Sequence, residues 1–418
     1  MVSFNDALKK YAKLAIRVGL NLQKGQRLII TNASTRGVPL HAVLLVREIV
    51  REAYEVGASY VDVIWNDQEL IRTRVEYAPA DSFGEYSDWQ IQGIMDTVER
   101  GGALLTIRSN NPDLLNSLDP ERAGAWQKTH LQKFNPVSMA VTANKFNWLV
   151  IAASGPEWAA KVFPNLPAER AEAKLWEAIF QITRVDQPDP VAAWEEHVRN
   201  LLKRGAYLTQ KKYAALKYTG PGTDLTVGLP AGHKWISARE KAQNGIEFIA
   251  NLPTEEVFTL PHREQTEGTV TATLPLSYGG TLIEDFSLTF EKGHVVSITA
   301  KKGEAILKKL VESDEGAGRF GEVALVPVNS PIAEREHLFY DSLIDENASC
   351  HLAVGRAYRI NLEGAQDMPD EEFVQRGGNV SLAHVDFMVG SKHLDIDGVK
   401  ADGSSEPVMR KGKWAFDV

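Results

Sequence analysis

Cysteine is almost missing from this 418-residue chain, with Cys350 the only one. A single thiol excludes an intrachain disulfide and a thiolate-rich structural zinc site, and it fits a reducing compartment. Long apolar runs are missing too: none approaches the roughly 18 residues that a membrane-spanning helix needs. The first residues, Met-Val-Ser-Phe-Asn-Asp-Ala-Leu-Lys-Lys, hold no apolar signal core, and the expectation is a cytoplasmic protein with no membrane partner. Positive charge is in deficit. A formal net charge of -9 and a pI near 5.7 argue against a nucleic-acid surface. The chain also lacks a zincin His-Glu-x-x-His, a phosphate-binding P-loop and a Gly-x-Ser-x-Gly elbow. Internal repeats and low-complexity tracts are absent.

What is present reads as an ordinary globular chain, 44% hydrophobic and 24% charged. It is longer than the roughly 250–300 residues over which one core usually grows, so two domains are expected. Strand-like segments at 26–32, 60–65, 103–108 and 148–153 alternate with helical ones at 3–23 and 41–56 and with a helix followed by a loop at 123–145. That alternation predicts an α/β N-terminal domain with a mostly parallel sheet over 1–205. Helices are predicted at 170–183 and 189–215, the second of them a candidate link between the halves. Beyond 215 the segments become short and rich in threonine and valine. Residues 287–290 and 295–300 read as a hairpin across Glu291-Lys-Gly-His294, and 303–313 as a helix. The second domain, 206–418, is therefore predicted to be α+β and metal-binding.

The metal reading starts at Ser381-Leu-Ala-His-Val-Asp-Phe-Met-Val389. Positions two apart in a strand share a face, so Leu382, His384, Asp386 and Met388 lie together. An imidazole beside a carboxylate is half of a divalent-metal site, although a hydrogen-bonded pair on a half-buried face explains it as well. Possible partners lie in Asn251-Leu-Pro-Thr-Glu-Glu-Val257, at Gly321-Glu322, and in Asp345-Glu-Asn-Ala-Ser-Cys-His351 followed by Leu-Ala-Val-Gly-Arg-Ala-Tyr358. Glu256, Glu322, Glu346, His351, His384 and Asp386 would offer four carboxylates and two imidazoles. That mixture suits zinc, cobalt or manganese. Spacing alone cannot select these six among 55 acidic residues and 10 histidines.

The four segments, in this order, resemble the aminopeptidase T / aminopeptidase S / PepS family of bacterial dinuclear metallo-aminopeptidases. The resemblance runs over most of the chain and is sharpest from residue 250 onward. It implies that Glu256, Glu322, Glu346, His351, His384 and Asp386 hold two divalent ions per subunit, and that Tyr358 is catalytic. It further implies a homodimer and peptide substrates with a free N-terminus, cleaved by two-metal activation of water. Glu322 is expected nearest that water, as base or bridge, and Tyr358 as oxyanion donor. Glu255 is a candidate for the substrate amine. A helix from His351 to Tyr358 would put both on one face. Cys350 is expected to be a buried small hydrophobe rather than a nucleophile. Two other readings remain: a metal-dependent amidohydrolase on small non-peptide amides, and a non-catalytic ion-binding α/β protein.

Overall fold

A computed structural model describes residues 3–278, 281–335 and 337–418. The chain divides into two compact units that are not continuous halves. Met1–His197, Arg239–Pro253 and Leu338–Leu343 form the first; Val198–Ala238, Thr254–His337 and Ile344–Val418 form the second.

The main strands of the first unit are β1 (Arg27–Thr31), β2 (Tyr60–Val63), β3 (Ala103–Arg108) and β4 (Trp148–Ala152). With Asn251–Leu252 they make a sheet in which every pairing among the described residues is parallel. Its order is Asn251–Leu252, β4, β3, β1, β2. The expected parallel α/β layer is thus present. Strand β3 is buried along nearly its whole length, as a strand covered on both faces must be. Ile29 and Leu104 of the sheet pack with Ile94, Val137 and Phe146 in one apolar cluster.

The first helix is α-helical only over Phe4–Leu14, where Ser3 Oγ accepts the Asp6 N–H, and continues as a π-helical turn over Ala15–Gly19. Val43–Glu55 ends at Gly57, whose φ of 96° closes the turn. Pro120–Thr142 and Pro190–Lys211 fall close to their predicted positions. Helices at Gln68–Tyr77 and Trp89–Glu99 escape the pattern reading. Gln68–Tyr77 buries only Gln68, Ile71 and Val75, too thin an apolar stripe to stand out among its charges.

The second unit is mostly antiparallel. A large sheet runs, in order, Leu276–Tyr278, Thr281–Glu291, Thr266–Thr271, Thr223–Gly228, Ala215–Gly220, Asp395–Val399, Ser405–Arg410, Lys413–Trp414, with His294–Lys302 also paired to Thr281–Glu291. The predicted hairpin is part of it, Ser287 facing Thr299 and Phe290 facing Val295. The helix predicted at 303–313 covers Glu304–Val311. A smaller sheet is built from β5 (Ile236–Ser237), β6 (Val257–Thr259), β7 (Phe320–Leu325), β8 (His351–Gly355) and β9 (His384–Met388). These strands are neighbours in chain order, and each pairing is antiparallel. The strand-like run 381–389 is therefore a strand only in its middle, and the stretch after His351 is a strand rather than a helix. His351-Leu-Ala-Val-Gly355 is buried throughout and hydrogen-bonded on both sides, which the ladder satisfies and a helix would not.

Candidate metal centre

Cross-strand register decides which side chains meet. Glu322 of β7 faces Ala353 of β8, and Ala353 faces Asp386 of β9. Residues directly opposite share a face, and so do residues two apart. Glu322, His351, Ala353, His384 and Asp386 therefore project from one face of three adjacent strands. The other face carries Phe320, Leu352 and Phe387. There Phe320 lies 4.2 Å from Phe290 and 6.2 Å from Phe387 between ring centroids, with Phe387 5.4 Å from Phe286. One face is an aromatic core and the other is charged.

Strict alternation would put Phe320 and Glu322 on the same face. The ladder shifts register between them, so Phe320 faces Val354 while Glu322 faces Ala353. This bulge turns the phenyl ring into the core and the carboxylate to the opposite side. Gly321 sits at the bulge because a Cβ there would overlap the carbonyl oxygens of Gly355 and Arg356. Gly355, at φ 103°, occupies a conformation that glycine tolerates, against the Ala383 carbonyl.

Both imidazoles are oriented by main-chain carbonyls. His384 Nδ1 donates to the Arg356 oxygen at 2.7 Å, and His351 Nδ1 donates to the Ser349 oxygen at 3.1 Å. A carbonyl only accepts, so in each neutral ring Nε2 is left with its lone pair outward. His351 Nε2 then lies 3.1 Å from Glu256 Oε2 and 3.6 Å from Glu322 Oε1. His384 Nε2 lies 3.6 Å from Glu322 Oε2 and from Asp386 Oδ1. Two groups result, Glu256–Glu322–His351 and Glu322–His384–Asp386, each with ligand-type atoms within 4.8 Å of one another. Glu322 belongs to both and turns one oxygen to each.

Lone pairs facing lone pairs at such distances need a cation between them, either a proton on the imidazole or a metal ion. Among the described residues, Glu256 Oε2 and Asp386 Oδ1 are buried and find no hydrogen-bond partner. Imidazole nitrogens fixed through Nδ1, with carboxylate oxygens opposite, match the donor set of a zinc-, cobalt- or manganese-type ion. Proton affinities agree. Burial, and then the Asp386 and Glu256 charges, push the Glu322 carboxyl above its usual range, against the pull of His351 and His384. Burial opposes charging His351, yet Glu256 and Glu322 outweigh it and hold its pKa well above the ordinary histidine value.

Glu346 is a member of neither group. It opens a 3-10 turn, Glu346–Ala348, packed beside β9, and its charge reaches Tyr358. The Tyr358 ring lies 4.8 Å from the His384 ring. Burial, then the Glu322 and Asp386 charges, drive its hydroxyl pKa well upward, so it stays protonated. Glu255 is buried, and its N–H donates to Asn347 Oδ1 at 2.7 Å. Cys350 is buried, its Sγ donating to the Val326 oxygen at 3.3 Å, and burial raises its pKa to about 11. The sequence reading took Asn347 only for a turn residue bonding the backbone, and gave no part to Gly321, Ala353 or the two carbonyl acceptors. Only Gly321 left a trace, as a glycine interrupting Phe320-Gly-Glu322.

The sequence pattern of the thermophilic metalloprotease (M29) family matches residues 4–414. Aminopeptidase AmpS of Bacillus subtilis is 48% identical over 416 residues, covering 100% of both chains. Aminopeptidase T of Thermus thermophilus is 47% identical, over 99% of this chain and 100% of its own. The solved structure of wild-type AmpT from Thermus thermophilus superposes with a TM-score of 0.93 at 46% identity, covering 99% of this chain and 100% of that one. With a whole-length family match, near-half identity to named aminopeptidases and the same fold, the chain belongs to the thermophilic metalloprotease (M29) family.

Proposed function

We propose that this metal-dependent aminopeptidase removes N-terminal residues from peptides at the Glu322 centre. Glu256, Glu322 and His351 would hold one divalent ion; Glu322, His384 and Asp386 would hold a second, with Glu346 completing the set. Such ions, of the zinc, cobalt or manganese kind, supply acidified water and a polarised carbonyl. The observation that carries the reading is the shared carboxylate, each oxygen of Glu322 lying 3.6 Å from a different imidazole. We assign it the bridge between the two groups rather than a free general base. Tyr358, held protonated, donates its O–H to the scissile carbonyl oxygen as negative charge grows there. Glu255, beside Glu256, is assigned to the substrate's α-ammonium group. A homodimer and a cytoplasmic location belong to the same proposal; they rest on the family resemblance and on the scarcity of cysteine.

Hydrolysis of leucyl- and arginyl-p-nitroanilide tests it, measured before chelation, after chelation and after return of zinc, cobalt or manganese. Acetyl-leucyl-p-nitroanilide is the blocked control. Activity that chelation removes, metal restores and acetylation prevents is expected. Cleavage of the blocked substrate would favour a general amidohydrolase. Metal binding without turnover would leave an ion-binding protein.

A further inference from the structure

Four of the six proposed ligands sit on strands and take their spacing from the ladder. Glu256 and Glu346 do not: Glu256 precedes β6, and Glu346 opens the turn Glu346–Ala348. Val257, paired to Ser237 and Leu325, anchors the far side of Glu256, while its near side and the Glu346 turn lie outside that ladder. The side chain of Asn347, 0% exposed, spans them, its Oδ1 accepting the Glu255 N–H at 2.7 Å between segments 92 residues apart in sequence.

We propose that Asn347 is a positioning residue of the metal centre. By fixing the Glu255 backbone it sets where the next residue, Glu256, places its carboxylate against His351. Because Asn347 also follows Glu346 directly, one buried amide registers both loop-borne carboxylates to each other. The inference rests on the reading of Glu256 as a metal ligand. Outer partners of this kind typically change metal affinity about 10–100-fold when removed.

Zinc affinity of the full-length protein, by competition with a chromogenic chelator, tests this through a double-mutant cycle. Asn347→Ala is expected to bind zinc about 10–100-fold more weakly. Asn347→Asp, which keeps the acceptor oxygen, should stay much closer to wild type. In a Glu256→Gln background, Asn347→Ala should cost little more. Should Asn347→Ala fail to fold, Asn347→Leu keeps the volume and drops the acceptor, and is read the same way. Wild-type affinity in Asn347→Ala, or an equal further loss in the Glu256→Gln background, would overturn the proposal. Equal affinity of wild type and Glu256→Gln would instead remove the ligand assignment beneath it, and the proposal with it.

Discussion

Replacing Gly321 with alanine should damage the metal centre although residue 321 offers it no side chain. The new methyl would sit 2.5 Å from the Arg356 carbonyl carbon and closer still to two carbonyl oxygens. These are backbone atoms at and just past the end of the neighbouring strand and cannot rotate aside. Overpacking of this kind costs about 1–3 kcal/mol. For a unit of this size that is a fall in Tm of roughly 2–12 °C. One of the oxygens struck is the Arg356 carbonyl that accepts from His384 Nδ1 at 2.7 Å. A shift there frees the imidazole, with a loss of metal affinity on the order of 10–100-fold. The same displacement pulls at the bulge that keeps Glu322 off the aromatic face. Differential scanning fluorimetry with and without chelator, together with metal content after dialysis, reads both effects. Gly321→Ala with wild-type Tm, metal content and turnover would refute the bulge argument.

Other expectations are simpler. His384→Ala or Asp386→Ala should lose retained metal and aminopeptidase activity while circular dichroism stays native; normal turnover in either would sink the site. Tyr358→Phe should lower kcat by about 10²–10³ with KM nearly unchanged, as loss of an oxyanion donor does; an effect on KM alone would speak for a packing role. In the metal-free protein His351 has its pKa raised above the usual 6.5. Its contribution to stability is therefore full below about pH 6.5 and lost as pH climbs through the raised value. Glu322, raised above 4.5, gives a loss of the same sign beginning lower. An incoming ion must displace these protons, so zinc affinity should rise with pH and binding should release protons. Calorimetry in buffers of different ionisation enthalpy measures that release, and none between pH 6 and 8 would contradict the pKa argument.

The first unit was legible because its sheet is parallel. Strands buried on both faces read as unbroken apolar runs, and the intervening helices carry stripes. Gln68–Tyr77 stayed hidden for want of such a stripe. In the second unit the pairing of His384 with Asp386 followed from strand period alone, whereas their meeting with Glu322 depends on register across β8. Register between strands so far apart in sequence leaves no local signal. His351 and Tyr358 illustrate the limit: a seven-residue spacing suits a helix, yet hydrogen bonds to β7 and β9 make His351–Gly355 a strand. Choosing the carboxylates required kinship, since no spacing rule separates Glu256 from Glu255.

Ala353, midway between Glu322 and Asp386, makes the sheet itself a measuring device. Adjacent strands stand about 4.8 Å apart, and that interval is fixed by peptide hydrogen bonds, whichever residues the strands carry. The gap spanned by the two carboxylates is thus two rungs of main chain with a methyl group in the middle. The aromatic residues beneath set how firmly the sheet is backed, while the rungs keep their pitch. Enlarging the middle residue is different, because a bulkier side chain there would fill the gap without moving either rung.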